Sequence, residues 1–229
     1  MMACANFSDI RWASRHILFT FVVGLCLVFP SAVTLGAENT FKPTKVLVFG
    51  DSLSAAFGIE QQKGWVHLLQ QRLSTPYFNA TVFNASISGE TSQGGLSRIA
   101  QVLDKHKPDI VLLELGGNDG LQGLPLTLMK DNLERIIRII QDRHIKVLLL
   151  GIHLPPNYGK FYTQEFDDTY KDLAEKFHLP FVPFLLEGIA TDPDLMQSDG
   201  IHPKADAQSM VLDNVWPVLK PMLPQRKLR

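Results

Sequence analysis

The chain has 229 residues, 22 of them basic, 23 acidic and two cysteine. This near-neutral balance, with no basic stripe interleaved with aromatics, argues against a nucleic-acid partner. Both cysteines, Cys4 and Cys26, lie near the N-terminus, so the remainder holds no disulfide, thiol nucleophile or Cys-ligated zinc.

Residues 1–37 read as a secretory leader. Arg11 and Arg15 give it a positive start, and 17–29 form an uncharged apolar core too short to span a membrane. Small residues follow at Ser31, Ala32, Gly36 and Ala37, where cleavage is expected. An uncleaved N-terminal anchor is the alternative. Residues 38–229 are then one exported domain, periplasmic or secreted in a bacterium, with no membrane span once the leader is gone. That part carries 20 basic and 22 acidic residues.

Beyond the leader, strand and helix patterns alternate. Residues 45–49 (KVLVF) form a short strand, and 64–73 carry Trp65, Leu68, Leu69 and Leu73 at helical spacing. A strand follows at 80–84, then a helix at 95–107 with Leu96, Ile99, Ala100 and Leu103 on one face. The run 109–115 is the third strand. Residues 126–143 form an amphipathic helix striped by Leu133, Ile136, Ile137 and Ile140. A strand at 146–150, a helix at 161–177 and a short strand at 180–184 come next. The closing helix spans 203–219, with Pro203 at its first turn. The alternation implies an α/β fold in which a five-stranded parallel sheet is covered on both faces.

In such sheets ligands sit beyond the carboxyl ends of the strands. Gly50-Asp51-Ser52, Ser86-Ile87-Ser88-Gly89 and Gly116-Gly117-Asn118 all fall there. Ser52 is a candidate nucleophile, or else a turn serine. Asp51 is better suited to fixing the loop than to orienting a distant histidine. Asp199 and His202, three apart in a Gly-containing segment, can set a carboxylate against Nδ1 and leave Nε2 for a serine. The alternative there is an Asp turn and a cap histidine. Gly89 and Asn118 are candidate oxyanion donors, or ordinary turn residues. His153, just after the fourth strand, is a candidate for substrate contact. His67, His106, His144 and His178 read as surface residues. The chain has no Gly-x-Ser-x-Gly elbow, dinucleotide fingerprint, Walker loop or His-Glu-x-x-His helix.

The order Gly-Asp-Ser-Leu, Gly, Gly-x-Asn-Asp and Asp-x-x-His resembles the SGNH (GDSL) hydrolase superfamily. Ser52, Gly89, Asn118 and His202 match its four signature residues and Asp199 its third catalytic member. The segments 84–92, 117–121 and 154–159 are similar to the bacterial periplasmic thioesterase I, lysophospholipase L1 and arylesterase subgroup. The resemblance implies a three-layer flavodoxin-like sandwich and a serine esterase that needs neither metal nor cofactor. It assigns Ser52, Asp199 and His202 to catalysis, and the Ser52 and Gly89 N–H groups with the Asn118 amide to the oxyanion hole. Small acyl esters or lysophospholipids would be its substrates, and a monomer is expected. Leu121, Leu124, Leu126, Ile152, Leu154, Pro155, Pro156 and Tyr158 are candidates for an acyl groove, with 120–125 a loop able to move over it. Two rivals are an acetyl or carbohydrate esterase of the same superfamily, and a non-catalytic flavodoxin-like binding protein using the same edge.

Overall fold

The computed structural model describes residues 42–75 and 77–224. The leader expected over 1–37 lies outside the described residues.

Five parallel strands run through the centre: β1 (Thr44–Gly50), β2 (Ala80–Asn84), β3 (Ile110–Glu114), β4 (Lys146–Leu150) and β5 (Phe181–Val182). Their order is β2-β1-β3-β4-β5, the doubly wound flavodoxin arrangement. Val46–Phe49 and Ile110–Leu113 have essentially no exposed surface. Runs without polar alternation are what a strand covered on both faces requires. β5 is only two residues long because Pro180 and Pro183, which carry no N–H, flank it.

Helices α1 (Trp65–Leu73) and α6 (Gln208–Leu219) pack together on one face. Helices α2 (Ser92–His106), α4 (Leu126–Gln141) and α5 (Lys160–Phe177) pack in series on the other. The α4 stripe of Leu133, Ile136, Ile137 and Ile140 is fully buried. Each such side chain contributes about 1.5–3 kcal/mol relative to leaving it in water. No helix among the described residues is long and apolar enough to cross a membrane.

Several boundaries differ from the sequence pattern, and three departures bear on the site. Helix α2 begins three residues early, at Ser92, capped by the Thr91 hydroxyl, which accepts the Gly94 N–H at 3.3 Å. Gly94-Gly95 looks like a breaker, but a Cβ at Gly95 would come within 2.4 Å of Leu115. The glycine is there for close helix–sheet packing. A short helix α3 (Gly117–Leu121) occupies the stretch that reads as a turn. The last helix starts at Gln208, not at Pro203, after a 3-10 turn over Ala205–Ala207. Pro203 instead pairs with Met196 in an isolated antiparallel bridge.

Candidate active site

The polar clusters meet at the C-terminal edge of the sheet. β1 ends at Gly50, where a Cβ would lie 2.4 Å from Glu114 Oε2, so only glycine fits. The chain then makes one helical turn, closed by the Ala55 N–H donating to the Asp51 carbonyl at 2.9 Å. Ser52 is left half-buried on that turn.

His202 faces it. Its Nε2 lies 2.8 Å from Ser52 Oγ, and its Nδ1 lies 2.7 Å from Asp199 Oδ2. The segment that carries the imidazole is pinned to residues 195–197. The Gln197 N–H donates to the His202 carbonyl and the Lys204 N–H to the Leu195 carbonyl, both at 2.7 Å. Asp199 Oδ1 accepts the Ile201 and His202 N–H groups at 2.9 and 3.0 Å, which orients the carboxylate. Burial pushes the Asp199 carboxyl up. The His202 ring and the two backbone donors outweigh it and hold the group down at about 2. It therefore stays ionised through the working pH range. Phe57 covers the imidazole, with ring centroids 4.5 Å apart.

The loop carrying Gly89 is drawn to the same edge by the Ile87 N–H, which donates to the Gly50 carbonyl at 3.0 Å. Arg98 braces it from both sides, donating to the Ala85 carbonyl at 2.8 Å and pairing with Glu90. The guanidinium also lies over the Phe49 ring, 4.1 Å from its centroid. Gly89 has φ 81°, with open space where a side chain would stand. Among the described residues, neither the Ser52 nor the Gly89 N–H donates to a protein group. Asn118, on α3, is different: its Nδ2 donates to Asp51 Oδ2 at 3.0 Å and to the Glu90 carbonyl at 2.9 Å. Helix α3 is itself anchored by Asp119, whose carboxylate accepts both the N–H and the hydroxyl of Ser92.

A cavity of about 510 Å³ opens beside Ser52 and His202. Leu121, Ile152, Leu154, Pro155 and Pro156 line it, as does His153. The His153 ring stacks on Phe184 with centroids 4.0 Å apart, and its Nε2 lies 3.8 Å from Asp167. The structure places Leu124, Leu126 and Tyr158 elsewhere. None of the three lines the cavity; the chain turns at Gly123, with φ 65°, and Leu126 is buried in the core. Tyr158 reaches back, its hydroxyl donating to the Leu121 carbonyl at 3.0 Å. Tyr162 likewise holds the carbonyls of Gly120 and Leu124, both at 3.3 Å. The 120–125 loop is thus tied to α5 and the turn before it. Much of the remaining wall comes from Phe184, Leu186, Met196 and Ile201. No spacing rule flags those residues, because they follow the last strand in irregular chain.

Beneath the site Asp51 meets a second carboxyl group, Glu114, which no motif singles out. Glu114, at the end of β3, is fully buried. Its Oε2 accepts the Asp51 N–H at 3.1 Å and the Ser54 hydroxyl at 2.7 Å. A lone glutamate in an otherwise apolar strand was the available signal. Burial drives the Asp51 carboxyl up to about 6, against the pull of the Leu53 N–H, Glu114 and His202. Burial and the nearby Asp51 charge push Glu114 up as well.

The Asp51 shift has a consequence for stability. The folded state binds this proton more tightly than the unfolded chain, whose value is 3.8. Its stabilising contribution is complete below 3.8 and is lost as pH rises through about 6. Denaturant midpoints should therefore fall over this window in the wild type. The fall should be smaller in Asp51→Asn. Equal slopes in the two proteins would refute the assignment.

A doubly wound sheet with serine, imidazole and carboxylate in hydrogen-bonded series at its C-terminal edge has the geometry of a serine hydrolase. Residues 48–209 match the GDSL-like Lipase/Acylhydrolase family, and the chain belongs to it. It is 48% identical over 178 residues to esterase TesA of Pseudomonas aeruginosa, spanning 78% of this chain and 89% of that one. It is 38% identical to the thioesterase 1/protease 1/lysophospholipase L1 of Escherichia coli, over 95% of this chain and 97% of the relative. The crystal structure of the psychrotrophic esterase EstA from Pseudoalteromonas, inhibited by monoethylphosphonate, superimposes with TM-score 0.75 at 38% identity. That match covers 78% of this chain and 98% of EstA.

Proposed function

We propose that the protein hydrolyses ester and thioester bonds of acyl substrates, lysophospholipids included, through an acyl-Ser52 intermediate. The observation that carries this reading is the continuous series Asp199–His202–Ser52, with links of 2.7 and 2.8 Å. Ser52 Oγ attacks the carbonyl carbon while His202 Nε2 takes its proton. Asp199 keeps Nδ1 protonated and stabilises the imidazolium. His202 then protonates the departing alcohol or thiol. Water, deprotonated by the same nitrogen, releases the acid and restores Ser52.

The unpaired Ser52 and Gly89 N–H groups suit the developing oxyanion. Asn118 contributes by keeping its bond to Asp51 and exchanging the Glu90 carbonyl for the oxyanion. Asn118→Ala should lower kcat by about 10²–10³, with KM nearly unchanged. A kcat loss below about tenfold would remove Asn118 from the hole.

The cavity is predominantly apolar and exceeds what an acetyl group needs, so it suits longer chains. Leu121, Ile152, Leu154 and Pro155 would hold the acyl tail, with Leu124 and Tyr158 supporting the loop from outside. Within this reading residues 1–37 direct export and are removed, and 38–229 work as a monomer in the periplasm. The test is hydrolysis of p-nitrophenyl esters from acetyl to palmitoyl. Turnover should rise from acetyl to medium or long chains. An acetyl-only profile would move the assignment to a carbohydrate-type esterase, and binding without turnover would leave a binding protein.

A further inference from the structure

Glu114 is the most deeply buried carboxyl group near the site. It sits under the nucleophile loop, facing Asp51, Ser54 and the backbone of Gly50. Both its donors, the Asp51 N–H and the Ser54 hydroxyl, converge on Oε2. Oε1 is buried and receives no hydrogen bond. A carboxylate oxygen in that position would lose its hydration without compensation. A protonated Oε1 has no such penalty, provided an acceptor is close. Asp51 is the neighbouring residue that could supply one: its N–H reaches Glu114 Oε2 at 3.1 Å, and its carboxyl is the charge that acts on Glu114. Both Asp51 oxygens also accept other donors, Oδ1 from the Leu53 N–H at 3.1 Å and Oδ2 from the Asn118 amide at 3.0 Å.

We propose that Glu114 is a positioning residue: as a neutral acid it donates from Oε1 to the Asp51 carboxylate, and the charge held there orients the Asn118 amide toward the oxyanion site. The inference rests on the acyl-ester reading above and extends it to a side chain that never meets substrate. The other titratable groups around the pair are His202, which favours a charged Asp51, and Tyr170, whose hydroxyl donates to the Leu115 carbonyl at 2.9 Å. Asp119 is spent on Ser92. One proton on the pair keeps a single negative charge beneath Ser52. Losing it would place two carboxylates side by side in a dry site.

The test compares kcat, KM and pH profiles of the wild type, Glu114→Gln, Glu114→Leu and Ser54→Ala on the best p-nitrophenyl ester. A glutamine can accept from Asp51 and Ser54 and donate to Asp51, as the neutral acid does. Glu114→Gln should stay within about threefold of wild type, while Glu114→Leu loses about 10–100-fold in kcat with KM little changed. If the pair's proton matters, wild-type kcat should fall at alkaline pH as it is lost, and Glu114→Gln should show no such fall. Ser54→Ala should leave kcat near wild type, because it removes a loop bond but keeps the contact with Asp51. Three results would overturn the inference: Glu114→Gln as impaired as Glu114→Leu, Glu114→Leu with wild-type kcat, or Ser54→Ala reproducing the Glu114→Leu loss. If Glu114→Leu does not fold, the Glu114→Gln profile and Ser54→Ala decide. A wild type inert on every ester would overturn the ester reading and this inference with it. The variant pattern bears on Glu114 alone.

Discussion

Replacing Ser52 by alanine should lower kcat on an acyl ester by about 10⁶, and replacing Ser52 and His202 together should cost no more. The reason lies in the series of hydrogen bonds. His202 Nε2 is 2.8 Å from Ser52 Oγ and has no other group to deprotonate before acylation. Without Oγ the imidazole activates nothing, so a second deletion removes a function already lost. KM should move little, because the apolar walls contributed by Ile152, Leu154 and Phe184 are untouched. The fold should hold too, since Ser52 Oγ makes no hydrogen bond that anchors the backbone. Steady-state rates for both single variants and the double variant check this. Losses that multiply, instead of saturating, would mean that Ser52 and His202 act independently, and the acyl-enzyme route would fail. A phosphonate ester adds a second readout: it should add mass to the wild type at Ser52 and leave Ser52→Ala unmodified.

Much of this arrangement was legible from residue patterns, and the part that was not has definable physical causes. Buried parallel strands are uninterrupted apolar runs, so 45–49 and 146–150 announce themselves. Glycines and polar residues directly after those runs mark the edge where chemistry collects, which is how Ser52, Gly89 and Asn118 stand out. Asp199 and His202 are close in sequence, and their pairing is local. What stays hidden depends on distant partners. Glu114 looks like one more strand position until Gly50, Ser54 and Asp51 are packed around it. Arg98 reads as the polar face of a helix, yet its guanidinium holds both ends of the Gly89 loop. Pro203 satisfies the rule for a helix start, but tertiary pairing with Met196 takes precedence. That pairing serves His202, because hydrogen bonds to residues 195–197 on either side of it fix the imidazole more firmly than a fraying helix end would. Leu124 and Tyr158 share the composition of groove residues. Neither lines the cavity, and the Tyr158 hydroxyl is spent on the Leu121 carbonyl.

The carboxylate proposed to orient His202 gives the second large effect. Asp199→Asn should lower kcat by about 10⁴ near neutral pH while leaving the backbone in place. The hydrogen bonds around Asp199 dictate which way the amide must turn. Oδ1 accepts two backbone N–H groups, from Ile201 and His202, at 2.9 and 3.0 Å. An asparagine would put its carbonyl oxygen there, because an NH₂ group facing two donors would leave both unsatisfied. The NH₂ group is then forced against His202 Nδ1, where Asp199 Oδ2 now stands at 2.7 Å. Nδ1 becomes an acceptor, so the neutral ring carries its proton on Nε2. That proton points at Ser52 Oγ, and the ring cannot take a second one from it. Geometry survives and basicity at the required atom does not. Asp199→Ala is the informative contrast: with no NH₂ group pressing on Nδ1, the ring can choose either tautomer. If the tautomer governs the loss, alanine should be no worse than asparagine, although it removes more of the side chain. Imidazole ¹⁵N shifts would report the proton on Nε2 in Asp199→Asn and on Nδ1 in the wild type. An Asp199→Asn protein with near-wild-type kcat would remove Asp199 from the role proposed for it.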